Sequence, residues 1–448
     1  MTVKKEYLIY KLSDNMKSSV RIDADLFRKL DVKRGLRNED GTGVLVGLTN
    51  IGNVVGYERT AEGLSPIEGK LYFRGYEVSD LVHSVLSEQR FGFEEVAYLL
   101  LSGRLPDAEE LEEFRCLLVD NMPLMSKTML NIVELEGNDI MNILARSVLE
   151  LYTYDANPDD ISRDNLMRQS IELISKFPTI IAYAYNMLRH KALGRSLHIR
   201  HPREGFSLAE NFLYMLLGTH YTPLDARTLD LLLILQAEHG GGNNSTFTVR
   251  VTSSTCTDTY SSIAAGIGSL KGPKHGGANI RVHHMIEHLK QQIRHWDDEE
   301  EISHYLHKMV KKEAYDGTGL IYGIGHAVYT LSDPRAVLLK DMARQLAEEG
   351  RMEEFEFMER IERLAVEAVY DIKGTGKKLC ANVDFYSGFV YDLIGLPIEI
   401  YTPLFAMARI VGWCAHRNEE LGFSGRRIIR PAYRCVAEIR QYAPLEER

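Results

Sequence analysis

Three features of the sequence predict an all-α protein. Apolar residues recur at the helical period along most of the chain, strand-like alternation is confined to the first sixty or so residues, and clustered glycines and histidines break the pattern at only a few places. After Asp80, residues Leu81, Val82, Val85 and Leu86 mark one helix, and the compact run 93–101 marks the next, ending near Gly103 and Pro106. Val282, Met285, Ile286, Leu289 and Ile293 form one apolar stripe, and Ile361, Leu364, Ala365 and Ala368 form another, with charges on the opposite faces. The acidic run 297–301 opens a helical stretch, where carboxylates suit the positive end of the helix dipole. The charged stretch 344–363, interrupted by Gly350, reads as a solvated helical pair.

A chain of 448 residues, 45% of them hydrophobic, buries enough surface for two lobes. The smaller is expected inside a body built from both chain ends: residues 276–390 against 1–275 and 391–448. No repeat with a period of about 20 to 50 residues and no low-complexity tract points elsewhere. The net charge of -10 excludes a general attraction to nucleic acid or anionic membranes, so an anionic substrate would need a locally basic pocket. The amino terminus has no apolar stretch behind its lysines, and the run 231–235 is far too short to span a bilayer. A cytoplasmic location is the expectation. Cys116, Cys256, Cys380, Cys414 and Cys435 are widely spaced, with no Cys-x-x-Cys pair for zinc or dithiol exchange, and read as reduced, mostly buried thiols.

Chemistry concentrates in the breaks: Glu238-His-Gly-Gly-Gly-Asn-Asn-Ser245, Lys271-Gly-Pro-Lys-His-Gly-Gly-Ala-Asn279 and Tyr322-Gly-Ile-Gly-His-Ala-Val-Tyr329. Glycine permits close ligand approach, and a helix-glycine-histidine junction presents an imidazole beside free N–H groups. Singly, each could be an ordinary helix connection. No phosphate loop or G-x-G-x-x-G is present, and the His239-Gly-Gly-Gly run has no G-x-S-x-G nucleophile to serve. His284 and His288 have the spacing of a helical metal pair but lack the glutamate of H-E-x-x-H, which favours plain exposed histidines and no metal. In Asn382-Val-Asp-Phe-Tyr-Ser-Gly388, apolar neighbours would raise the pKa of Asp384 towards that of a useful base, although a carboxylate at a helix start is more often a cap.

Together, Lys271-Gly-Pro-Lys-His-Gly-Gly-Ala-Asn279, Gly323-Ile-Gly-His-Ala-Val-Tyr-Thr-Leu-Ser-Asp-Pro-Arg335 and Asn382-Val-Asp-Phe-Tyr-Ser-Gly388 resemble the citrate synthase signature in order and spacing. Similarity extends to Tyr72-Phe-Arg-Gly-Tyr76, the run 93–106, Ser245-Thr-Phe-Thr-Val-Arg250, Thr402-Pro-Leu-Phe405, Ala408-Arg-Ile-Val-Gly-Trp413 and Arg430-Pro431, leaving only the first fifty or so residues without it. The resemblance implies a helical homodimer of the tricarboxylic acid cycle that binds oxaloacetate and acetyl-CoA between its domains, with residues of both subunits completing each site. Acetyl-CoA is then a co-substrate, with no permanently bound cofactor and no nucleic-acid or membrane partner.

By that resemblance Asp384 is the base that deprotonates the thioester methyl, His275 the donor to the enolate oxygen, and His326 the group polarising the oxo acid carbonyl. The position of His275, between Pro273 and the stripe beginning at Val282, puts it near a helix amino terminus, whose dipole favours neutral imidazole. His239, Arg335, Arg409 and Arg430 match oxaloacetate-binding positions, the last reaching across the dimer. Gly323, Gly325 and Asn382 are candidates for close contacts to CoA, and Lys377 and Lys378 for phosphate contacts. Ala327 and Thr330 stand where basic residues often approach the cofactor, and Lys274 and Ala381 replace common apolar and proline positions. Two other readings remain: a 2-methylcitrate synthase using propionyl-CoA, and a CoA- or citrate-binding regulator without turnover.

Overall fold

The computed structural model describes residues 3–19, 21–38, 42–61, 63–135, 137–374 and 378–447. Met1–Leu48 and Thr49–Arg448 form two compact units. In the first, helices Val3–Ser19 and Ala24–Lys29 precede a short 3₁₀ turn, Arg34–Leu36, and an isolated bridge between Arg37 and Gly43. The expectation that strand-like alternation is confined to the first sixty or so residues holds for one strand, Gly52–Thr60, and is corrected for those that follow it. Lys, Glu and Leu between 4 and 12 favour helix over strand, and the strands begin at Gly52. Gly52–Thr60, Gly63–Phe73 and Tyr76–Glu77 form one antiparallel sheet in the second unit.

The remainder of the second unit is helical, and the all-α expectation holds. Helix Val78–Ser87 buries Leu81, Val82 and Val85, and helix Phe93–Ser102 ends at Gly103, whose φ of 88° suits the left-handed stop. Asp230 anchors the latter's first turn, its two carboxylate oxygens accepting from Gly92 N–H at 2.7 Å and Phe93 N–H at 3.1 Å. Helices Arg163–Leu193 and Tyr401–Gly422 are buried around most of their girth, as expected of central core helices. Helix Pro223–Gln236 starts with a Thr222/Asp225 capping box and Pro223 at its first turn, and it ends where the Glu238 loop begins.

Between 276 and 390 the helices are Ala278–Gln292, Glu299–Val310, Pro334–Ala347, Met352–Lys373 and Val383–Leu393. The expected stripes are buried: Val282, Met285, Ile286 and Leu289 on the first, and Ile361, Leu364, Ala365 and Ala368 on the fourth. Asp298 caps Glu299–Val310 as the acidic run suggested, and Gly350, at φ 119°, separates the helical pair. His284 is exposed as expected, whereas His288 is half-buried and bonds Tyr305 Oη at 2.7 Å. The expectation of mostly buried thiols is corrected: Cys380 and Cys414 are buried, but Cys116, Cys256 and Cys435, on surface segments, are exposed. Among the described residues no helix is long and apolar enough to cross a membrane.

Candidate active site

Two loops joined to each other carry His326 and Asp384. Gly325 N–H donates to Cys380 O at 2.8 Å, Asn382 N–H to Gly323 O at 2.9 Å, and Asn382 Nδ2 to Gly325 O at 2.9 Å. Gly323 is required where it stands: its φ is 83°, and a Cβ there would lie 2.9 Å from the Phe385 ring. Asn382 also caps helix Val383–Leu393, its Oδ1 accepting from Asp384 N–H at 3.0 Å. Asp384 is therefore not the cap. Its carboxylate lies in the first turn with Oδ1 sealed from solvent and without a hydrogen-bond partner. Burial raises its pKa to about 6, against the opposing pull of Arg335.

His326 accepts at Nδ1 from Val328 N–H and Tyr329 N–H, both at 3.1 Å. Two donors on Nδ1 leave the hydrogen on Nε2, making that nitrogen a donor. The ring stacks on Tyr329 at 4.6 Å and meets His239 edge-on at 5.1 Å. His239 is buried, with Nε2 unpartnered. Burial, with Arg335, His326 and Arg409 adding, holds its pKa well below the ordinary value, so it is neutral.

His275 sits in the turn before helix Ala278–Gln292, as its sequence position suggested. Its Nε2 lies 3.0 Å from Ser245 Oγ and accepts from Ser245 N–H at 3.4 Å, while Trp413 Nε1 donates to the same hydroxyl at 3.1 Å. With Nε2 accepting, Nδ1 carries the hydrogen. Burial, reinforced by the charge of Arg409, lowers the pKa to about 4 and keeps the ring neutral.

The arginines differ. Arg335 is paired with Asp333 through Nε–H at 3.0 Å and Nη2–H at 2.7 Å. Burial opposes its charge, but Asp333 outweighs burial and the pKa stands above the ordinary arginine value. Arg409 is fully buried, donates through Nε to Gln236 O at 2.7 Å, and has no hydrogen-bond partner at Nη1 or Nη2. Burial lowers its pKa to about 10. Arg430 is exposed on the extended segment after helix Tyr401–Gly422 and is not gathered with the others. Gly323, Gly325 and Asn382 spend the groups named above on joining the two loops. Lys377 lies outside the described residues, and Lys378 is exposed.

Three supporting residues were not singled out from the sequence. Asp333 clamps Arg335 and accepts from Val383 N–H at 3.3 Å, tying that arginine to the helix of Asp384. Its signal was present in Ser-Asp-Pro-Arg, which reads as a helix cap followed by proline at the first turn. Ser245 and Trp413 come together only through folding and carried no local signal.

Neutral imidazole donors, a carboxylate of raised pKa and a buried guanidinium with two unbonded Nη groups define an acid–base enzyme site made for an anionic substrate. Comparison gives this class its family. The model described as citrate synthase, C-terminal domain, matches residues 40–432. Citrate synthase 2 of Bacillus subtilis is 35% identical over 394 residues, covering 87% of this chain and 96% of its own. The 2-methylcitrate synthase 2 of Corynebacterium glutamicum is 32% identical, covering 93% of this chain and 98% of its own. Among solved structures, Thermoplasma acidophilum citrate synthase in ternary complex with carboxymethyl coenzyme A and oxaloacetate superposes with a TM-score of 0.76, at 26% identity, over 93% of this chain and 99% of that one. The chain belongs to the citrate synthase family and is an acyltransferase.

Proposed function

We propose that this chain condenses acetyl-CoA with oxaloacetate and water, giving citrate and CoA. The observation that carries the reading is Arg409: a completely buried cation with both Nη groups unbonded persists where a ligand carboxylate completes it, and Asp384 and Arg335 are charged neighbours. Burying a dicarboxylate there supplies the acceptors that no described protein group offers the two Nη groups.

In this reading Asp384 removes a proton from the acetyl methyl while His275 Nδ1–H hydrogen-bonds the developing enolate oxygen. The enolate carbon attacks the oxaloacetate carbonyl, polarised by His326 Nε2–H, and forms the new carbon–carbon bond as the carbonyl π bond opens and its oxygen takes the Nε2 proton. Water then cleaves the thioester and CoA leaves as the thiol. His239, Arg335 and Arg409 hold oxaloacetate, with Arg430 reaching a second subunit's site in a homodimer. Residues 276–390 form the small domain, which closes over acyl-CoA with Gly323, Gly325, Asn382 and Lys377 near the cofactor. The location is cytoplasmic.

Thiol release from acetyl-CoA that depends on added oxaloacetate tests the reading. Binding of both ligands without thiol release would favour a non-catalytic regulator. Relatives of the chain include 2-methylcitrate synthases, so propionyl-CoA is the second acyl donor to measure. One methylene changes binding by about 1–3 kcal/mol, and a higher kcat/KM for propionyl-CoA would replace acetyl-CoA in the reaction.

A further inference from the structure

Behind the anion-binding end of the site lies a run of buried polar groups that the reaction above does not use. Glu238 immediately precedes His239 and is completely buried. Its Oε1 accepts from Gly240 N–H and from His416 Nε2–H, the latter at 2.9 Å. His416 Nδ1 faces Arg250 Nη1 at 2.7 Å. A guanidinium can only donate, so Nδ1 accepts and Nε2 carries the hydrogen. Arg250 is anchored in turn by Glu419 at 2.8 Å and Glu420 at 2.9 Å.

Arg409, Gly412, His416 and Glu419 follow one another at three- and four-residue spacing on helix Tyr401–Gly422, and so share a face. Glu238 Oε2 has no hydrogen-bond partner. A Cβ at Gly412 would lie 2.5 Å from that oxygen and 3.5 Å from Arg409 Cδ, which places the carboxylate and the Arg409 stem around one small space. Gly52 closes the other side, where a Cβ would come within 2.7 Å of Oε1. Two glycines therefore make room for one carboxylate beside a cation.

We propose, resting on the oxaloacetate reading above, that Glu238 is a positioning residue for oxaloacetate. Backed by His416 and Arg250, it fixes the His239 loop and aims the Arg409 guanidinium at the substrate without pairing with it. Its charge opposes the cost of burying Arg409. Its Oε1 is occupied by Gly240 and His416, and Arg409 Nε by Gln236, which leaves the Nη groups for a ligand. A carboxamide cannot replace it. One end of the group meets two N–H donors and the other meets a cation, so the amide nitrogen opposes a donor or a positive charge whichever way it turns.

The test compares Glu238→Gln, His416→Gln and Arg250→Met with the wild type by steady-state kinetics for each substrate, calorimetric titration with oxaloacetate, and Tm. Glu238→Gln is expected to raise KM and Kd for oxaloacetate about tenfold, leaving KM for acetyl-CoA within about twofold and kcat within about threefold. His416→Gln moves the same constants in the same direction and adds little on top of Glu238→Gln. An unchanged oxaloacetate Kd in Glu238→Gln, or equal rises in both KM values with a fall in Tm, overturns the proposal. If Glu238→Gln does not fold, His416→Gln and Arg250→Met decide, and an unchanged Kd in both overturns it. A wild type that binds oxaloacetate but releases no thiol sinks the condensation while the variants still report on Glu238. A wild type that does not bind oxaloacetate sinks both.

Discussion

The side-chain amide of Asn382 donates to the carbonyl of Gly325 at 2.9 Å, one residue before His326 and two residues before Asp384. The imidazole and the carboxylate are thus fixed to each other before any substrate arrives. Asn382→Ala removes this bond and the cap on Asp384 N–H together. It is expected to lower kcat more than about tenfold, with a smaller effect on oxaloacetate Kd. A fall in Kd-weighted binding alone, with kcat intact, would show that the joint serves binding rather than alignment.

Asp384 gives a pH prediction with a definite sign. As a base it must be ionised, so kcat/KM rises with pH up to about 6 and falls about tenfold per unit below it. Stability runs the other way. The folded pKa lies above the unfolded 3.8, so the contribution is fully present below 3.8 and is lost as pH rises through about 6. Asp384→Asn should cut kcat by about 10²–10⁴-fold and show a higher Tm than the wild type at pH 8, the difference closing at pH 4. An equal difference at both pH values would remove ionisation as its cause.

Ser245 holds His275 through both its hydroxyl and its N–H. Ser245→Ala should reduce kcat by about 10–100-fold and leave oxaloacetate KM nearly unchanged. Nitrogen chemical shifts should report His275 as neutral, with its hydrogen on Nδ1, at pH 7. A doubly protonated ring at that pH would contradict the geometry.

Arg409→Leu separates stability from function. Replacing a buried guanidinium whose two Nη groups are unbonded with an aliphatic side chain should raise Tm, while oxaloacetate binding weakens by about 2–5 kcal/mol. Calorimetry and thermal unfolding on one preparation test both halves. A lower Tm would mean that Glu238 already compensates the charge in full.

Arg430 is tested by mixed dimers. Combining Asp384→Asn subunits with Arg430→Ala subunits restores one intact composite site per heterodimer if the arginine acts across the interface. Partial return of activity is the expected result. Verified heterodimers as inactive as both parents would place Arg430 elsewhere.

Much of this was legible in the sequence because periodic burial is a local property. The stripe from Val282 to Leu289 and the Gly103 stop needed nothing beyond their neighbours. The strands past residue 60 were missed because Gly63–Phe73 carries Pro66, Gly63 and Gly69 among its alternating residues. His275, His326 and Asp384 were found through motifs, which report composition along the chain. Their tautomers were not readable. Those depend on Ser245, thirty residues from His275, and on the backbone of Val328 and Tyr329. Arg409 could be named from its motif, but that Gln236 takes its Nε and leaves both Nη groups unbonded emerges only from packing.

Those two unbonded groups reach beyond catalysis. A folded chain whose internal guanidinium keeps two unbonded Nη groups opens more readily than one in which a ligand accepts from them, and proteases act on the opened form. The turnover of this protein in the cell should therefore follow the supply of its dicarboxylate: starved of it, molecules are degraded sooner, and supplied with it, they persist. Pulse-chase half-life at two oxaloacetate levels, in wild type and in Arg409→Leu, would reveal a lifetime that senses metabolite supply in the first and ignores it in the second.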